Sequence, residues 1–209
     1  MGSEMCIRDR VCTSPNEGHT CAILDNGNLK CWGWDRYGQL GDGGSADIRD
    51  DCGNWQYWSC SSCTTWDESS QSCYCGCCGS SENCRTDIPS STAIDLGTGR
   101  TAVAVSCGAS YTCAILDNGD LKCWGRDHHG QLGDGAASLG SYPFEGNANT
   151  NAPSSTAIDL GIDRTAVAVS AGFDHTCAIL DNGELKCWGG DEFGQLGDGE
   201  AQAGRPPWI

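Results

Sequence analysis

The chain has 209 residues, of which 30 are Gly and 17 Cys against only 3 Phe and 2 Met, and it carries a formal net charge of −16. No stretch approaches the ~18 uninterrupted apolar residues of a membrane helix, so membrane insertion of this segment drops out. Asp and Glu are scattered rather than blocked, which makes the surface repel phosphate and takes nucleic acid off the list of partners.

In chain order, residues 1–10 stand apart. Met5–Arg10, "MCIRDR", resembles the translation of a transposon-end sequencing adapter; the segment is set aside as non-native, Cys6 with it, and the natural N-terminus is expected to be missing. Residues 11–43 read as a partial unit ending in "CAILDNGNLKCWGWDRYGQLGDG". Residues 44–88 form an insertion with eight cysteines, Cys52, Cys60, Cys63, Cys73, Cys75, Cys77, Cys78 and Cys84. A full unit follows at 89–135, a loop at 136–152, a second full unit at 153–199, and at 200–209 the start of a connection that is expected to be cut short. From Ala93 to Gly135 and from Ala157 to Gly199 the two full units agree at 33 of 43 positions. Periods of this length mark solenoids, propellers or arrays.

Each unit reads as short strands: "TAIDLG", "RTAVAVS", "HTCAIL" and "ELKCWG" are rich in alternating small apolar and β-branched residues and are divided by Gly, Asp and Asn. In "CAIL-DNG-ELKC" a three-residue loop places Gly183 where positive φ is needed, and the register then sets Cys177 opposite Cys187. The same ten-residue spacing recurs at Cys21 and Cys31 and at Cys113 and Cys123. Opposed cysteines on antiparallel strands lie near bonding range, so cross-strand disulfides are favoured over buried free thiols, and with them an extracellular or cell-surface location. Cys12 and Cys107 are left without an evident mate. For the insertion a four-disulfide knot is favoured, with a zinc or copper site as the rival reading of "CSSC" and "CYCGCC".

Four strands in each 64-residue unit is the size of a propeller blade, so the fold class is all-β with about three four-stranded antiparallel blades and a Cys-rich insertion. Trp32, Trp124 and Trp188 become wedges between blades with an indole N–H to satisfy, and Leu40, Leu132 and Leu196 anchors beneath a loop.

The combination "HTCAILDNGxLKCWGxDxxGQLGDG" resembles the repeat of the regulator of chromosome condensation family, especially its alpha-tubulin-suppressor-like members. The resemblance implies a seven-bladed β-propeller, with the remaining blades supplied by the rest of a longer chain. Two departures stand out: Tyr111 replaces the His kept at His19 and His175, and Asp replaces the Asn usual after "WGx". The family's founding member is an exchange factor for the Ran GTPase, and others are scaffolds, inhibitors of secreted enzymes or light sensors. The light-sensing branch relies on clustered tryptophans where this chain has Ala109 or Phe173.

Chemistry is sparse. "GTGRTA" at Gly97–Ala102 mimics a dinucleotide fingerprint but leads into a strand-like run, and its sister reads "GIDRTA". His128 and His129, the one conceivable catalytic pair, sit in a variable loop. Neither an enzyme activity nor a cofactor is expected. Variation between copies gathers at Arg36, Tyr37, His128, His129, Glu192 and Phe193, which would occupy equivalent places on successive blades and suit recognition of a protein partner. The leading expectation is a non-enzymatic interaction module; an intracellular scaffold or exchange factor, and a fragment of a propeller enzyme with its site elsewhere, are the alternatives.

Overall fold

The computed structural model describes residues 10–15, 18–35, 37–43, 65–67, 72–74, 85–86, 89, 91–135, 150 and 152–199. Arg36 and the insertion cysteines other than Cys73 lie outside the described residues; Cys73 is placed by its backbone alone, opposite Trp66. Every element is a β-strand. Blade 1 comprises β1 (Val11–Thr13), β2 (His19–Ile23) and β3 (Leu29–Trp34). The insertion contributes a hairpin, β4 (Thr65–Asp67) with β5 (Ser72–Tyr74), and the two-residue β6 (Arg85–Thr86), which pairs with the end of β3. Blade 2 is β7 (Ala102–Cys107), β8 (Tyr111–Leu116) and β9 (Leu121–Gly125), and blade 3 is β10 (Ala166–Ala171), β11 (His175–Leu180) and β12 (Leu185–Gly189).

Blades are thus three-stranded in their regular part rather than four. The "TAIDLG" lead-in has a strand's composition but forms none. Instead Ile94 N–H donates to the Leu29 carbonyl and Ile158 N–H to the Leu121 carbonyl, each 2.9 Å, so each lead-in lies along the third strand of the preceding blade. Asp95 and Asp159 then accept from the N–H two residues on, turning the chain at Gly97 (φ +107°) and Gly161 (φ +109°) before a ladder can develop. Among the described residues a fourth strand survives only as β6 on blade 1 and as a single bridge, Gly125 with Thr150, on blade 2.

The Asp-Asn-Gly hairpins set the same register three times, with Cys21 opposite Cys31, Cys113 opposite Cys123 and Cys177 opposite Cys187. Each pair is joined through sulfur at a Cα separation of 4.1 Å. A further bridge, Cys12–Cys107, ties β1 of blade 1 to β7 of blade 2 across 95 residues.

The core lies between blades, not within them. Ile23, Leu29, Leu40, Ile94, Leu96, Val105, Leu116 and Trp124 fill the first interface. Tyr111, Ile115, Leu121, Leu132, Leu160, Leu180 and Trp188 line the second. Beyond blade 3 the equivalent surface is bare: Ile115 and Leu121 are 2% and 0% exposed, while their counterparts Ile179 and Leu185 are 44% and 66% exposed.

One hydrogen-bond arrangement closes both interfaces. The main-chain carbonyl of Gln39 accepts from Thr112 Oγ1 (2.8 Å) and Trp124 Nε1 (3.1 Å) of the next blade. The Gln131 carbonyl accepts from Thr176 Oγ1 (2.7 Å) and Trp188 Nε1 (3.0 Å) in the same way. The indole lies so close to the following turn that a Cβ on Gly41 (φ +71°) would come 2.4 Å from Trp124 Nε1, whereas one on Gly43 (φ +75°) would meet nothing within 4 Å. Gly43→Ala is expected to cost about 1 kcal/mol, the left-handed backbone penalty alone. Gly41→Ala should cost roughly 2 kcal/mol more, because the added methyl overpacks the interface. Paired thermal unfolding curves check this, and equal losses would contradict the interface geometry.

Candidate functional site: a three-blade loop cluster

The loop after each "WG" is held by two side chains. Asp35, Asp127 and Asp191 accept through Oδ1 from the N–H of Leu40, Leu132 and Leu196, at 2.8 to 2.9 Å. Gln39, Gln131 and Gln195 reach back through Oε1 to the N–H of Tyr37, His129 and Phe193, each at 2.8 Å. Identical framing therefore displays non-identical residues at one position per blade. Residues 109–111 and 173–175, which lead into β8 and β11, join the same end, since Arg126 N–H donates to the Ser110 carbonyl and Gly190 N–H to the Asp174 carbonyl. The Asp-Asn-Gly turns lie at the other end of the strands.

At this rim three blades meet. The Tyr37 ring of blade 1 stands edge-on to His128 of blade 2, centroids 5.9 Å apart. The Arg126 guanidinium lies 5.6 Å from the centre of the Tyr37 ring. Arg126 Nη1 also pairs with Asp174 Oδ1 of blade 3 at 3.7 Å, and His129 Nε2 faces Asp174 Oδ2 at 3.8 Å. Burial raises the Asp174 carboxyl above the usual carboxylate range, against the pull of Arg126 and His129, while Glu192 pushes it further up. Of the residues singled out from sequence, Tyr37, His128, His129 and Glu192 are brought together; Phe193 is 88% exposed on the same loop of blade 3, and Arg36 is outside the described residues. Arg126 and Asp174, which tie the cluster together, lie in stretches that vary between copies but were not among the residues singled out from the sequence. Both stand at positions that differ between copies, and that was the available signal.

Beneath the rim the Tyr111-for-His departure acquires a cause. His19 is buried, and its Nε2 lies 3.0 Å from Thr112 Oγ1; because that hydroxyl gives its proton to the Gln39 carbonyl, the imidazole is the donor. Burial lowers its pKa to about 4, so it stays neutral. In the next blade Tyr111 fills the same place with a different bond: its hydroxyl donates to the His175 carbonyl and lies 3.0 Å from Thr176 Oγ1.

The family model "Regulator of chromosome condensation (RCC1) repeat" matches at residues 16–39, 102–131 and 166–195, once on each blade. The chain carries three RCC1 repeats. Among curated relatives, the E3 ubiquitin-protein ligase HERC2 of Homo sapiens is 30% identical over 111 residues, 53% of this chain and 2% of that protein. The ultraviolet-B receptor UVR8 of Arabidopsis thaliana is 27% identical over 181 residues, 87% of this chain and 29% of that protein. The secretion-regulating guanine nucleotide exchange factor of Mus musculus is 32% identical over 97 residues, 46% of this chain and 18% of that protein. The chain thus spans less than a third of each. Among solved structures, Prp20p from Saccharomyces cerevisiae superposes with a TM-score of 0.58 at 21% identity, covering 88% of this chain and 34% of that one. Human WBSCR16 gives 0.55 at 17% identity, covering 86% and 32%. These likenesses establish the fold, an RCC1-type β-propeller arrangement of blades.

The repeats here carry Asp where the resemblance drawn from the sequence implies Asn, and in blades 1 and 2 that Asp is buried. Burial raises Asp35 to about 7 and Asp127 to about 6, with Asp42 and Asp134 adding like charge and the Leu40 and Leu132 N–H groups acting against the shift. Asp127 Oδ2 is buried with no hydrogen-bond partner. A carboxyl whose folded-state pKa is raised takes up its proton more readily when folded, so its contribution to stability grows as pH falls from 7 toward 4 and is lost as pH rises through the folded value. His19 acts oppositely, its neutral form favouring the fold above pH 6.5 and losing that advantage as pH falls toward 4. The difference between wild type and Asp35→Asn isolates the carboxyl: the variant should be the more stable at pH 8, with the gain shrinking by pH 5. A pH-independent difference in denaturation midpoints would contradict the assignment.

Proposed function

We propose that this chain is a non-enzymatic protein-interaction module whose rim loops bind a protein partner. The observation that carries the reading is the contrast within one surface: Asp, Gln and Gly frame the loop identically in each blade, while Tyr37, Arg126, His128, His129, Asp174 and Glu192 differ and converge. Aromatic and Arg side chains partly withdrawn from water are the usual anchors of protein interfaces. The blade 3 face bearing Ile179 and Leu185 is proposed to receive a further repeat of the same full-length protein, since its counterparts on blades 1 and 2 are each covered by the next blade.

The location proposed is extracellular or at the cell surface, supported by four cysteine pairs at bonding distance, one of them between blades. A second reading, an intracellular scaffold or exchange factor, draws on the likeness to the mouse exchange factor. Alkylation of the denatured, unreduced protein separates the two. Cys12, Cys21, Cys31, Cys107, Cys113, Cys123, Cys177 and Cys187 should be blocked in the first case and free in the second.

For the interaction itself, affinity capture followed by direct titration is the test. Tyr37→Ala and Arg126→Ala are expected to weaken a captured partner at least tenfold, as truncation of interface anchors does. Asn118→Ala, at the opposite end of the blade, should leave binding unchanged. Equal binding by all three would dismiss the rim as the interface.

A further inference from the structure

Cys12, Cys21 and Cys31 are direct cross-strand partners along one row of blade 1, Cys12 opposite Cys21 and Cys21 opposite Cys31. Cross-strand partners project from the same face of a sheet, so three sulfurs share the face turned to blade 2. Cys107 of blade 2 meets them there as the mate of Cys12. The sulfurs of Cys12, Cys21 and Cys107 all lie within 4.8 Å of one another, and Cys31 is bonded to Cys21. Cys21, Cys31 and Cys107 are at most 6% exposed, and they share the first inter-blade core with Ile23, Leu29 and Val105, with Thr112 Oγ1 3.8 Å from the Cys21 sulfur.

From this placement we infer that the reduced chain holds a zinc ion on the thiolates of Cys12, Cys21, Cys31 and Cys107, joining blades 1 and 2 at the place where the oxidised chain has two disulfides. Tetrahedral zinc with Zn–S bonds of about 2.3 Å sets its sulfurs about 3.8 Å apart, within the 4.8 Å that holds the Cys12, Cys21 and Cys107 sulfurs, and Cys31, bonded to Cys21, turns in as the fourth ligand once that bond is reduced. The balance is simple. Two dithiol molecules reduce the two disulfides, each passing two electrons and two protons to one S–S bond and closing to its own cyclic disulfide. Zn2+ then displaces the four thiol protons to solvent as four Zn–S bonds form. A closed four-thiolate site of this kind is structural, with no position open for catalysis.

The chain supplies its own control. At the second interface Ser106 stands where Cys12 stands, opposite Cys113, and Ala171 stands where Cys107 stands. There Ser106 Oγ accepts from the Ala171 N–H at 2.9 Å, a hydrogen bond in place of a covalent link. Two thiols remain at that interface, too few for the site.

The test uses the full chain, reduced with dithiothreitol, freed of it under anaerobic conditions and titrated with Co2+ and Zn2+. Because the insertion cysteines also offer thiolates, the readout is a difference. The Cys12→Ser/Cys107→Ala double variant reproduces the residues that the second interface carries naturally. It should bind one equivalent less Co2+ with the spectrum of a tetrahedral thiolate complex, and should lose the Zn2+-dependent rise in unfolding midpoint shown by the wild type. Cys113→Ser/Cys123→Ser should match the wild type in stoichiometry. The inference is overturned if the reduced wild type gives no thiolate-bound Co2+, if the first variant keeps the full stoichiometry, or if both variants lose an equivalent alike.

Discussion

The arrangement rests on a main-chain carbonyl that accepts two donors from the neighbouring blade. Gln39 and Gln131 each turn their C=O into an interface, where a threonine hydroxyl and an indole N–H of the next blade meet it. A buried carbonyl without a partner costs about 1–3 kcal/mol, so the two donors do more than add contacts: they make it affordable to bury the loop at all. The requirement reaches back into the sequence. The Gln must follow a glycine-bearing turn, Gly41 and Gly133 must lack a side chain where the indole passes, and Thr and Trp must stand on adjacent strands. That is why these residues are written three times.

What the sequence reveals and what it hides divide along the same physical line. Local pattern carries the hairpins: the Asp-Asn-Gly turn fixes the register of β8 with β9 and of β11 with β12, and the indole N–H was expected to need a partner because a buried donor always does. The lead-in misleads because "TAIDLG" alternates like a strand, yet its backbone makes one bond to the preceding blade and then turns at an Asp-supported glycine. The Cys12–Cys107 pairing is illegible for another reason: it joins residues 95 apart through an interface whose geometry no single blade contains. Arg126 and Asp174 likewise meet only after two blades have docked.

Framework and rim obey different constraints as a result. Within the framework even the substitution of Tyr111 for histidine preserves a donor aimed at the next blade, and Gly108 and Gly172 leave room for the Tyr111 and His175 rings, whose atoms would lie 1.9 Å and 2.3 Å from an added Cβ. At the rim no such pressure appears. Trp34, Arg126 and Gly190 occupy one equivalent position with nothing chemically in common, because what each gives the framework is its main-chain N–H, donated to the Gly18, Ser110 and Asp174 carbonyls, while the side chains that hold the loop belong to the Asp and Gln beside it. A scaffold of this kind supports recognition of many surfaces on one architecture.

The shared carbonyl is tested most directly by a double-mutant cycle of Thr112→Val and Trp124→Phe, with stability read from denaturant unfolding. Either single change leaves Gln39 with one donor; the double leaves its carbonyl buried and unpaired. The account predicts that the double loss exceeds the sum of the single losses by about 1–2 kcal/mol. Losses that add to within about 0.5 kcal/mol would mean that the two donors act independently and that the Gln39 carbonyl does not hold the blades together.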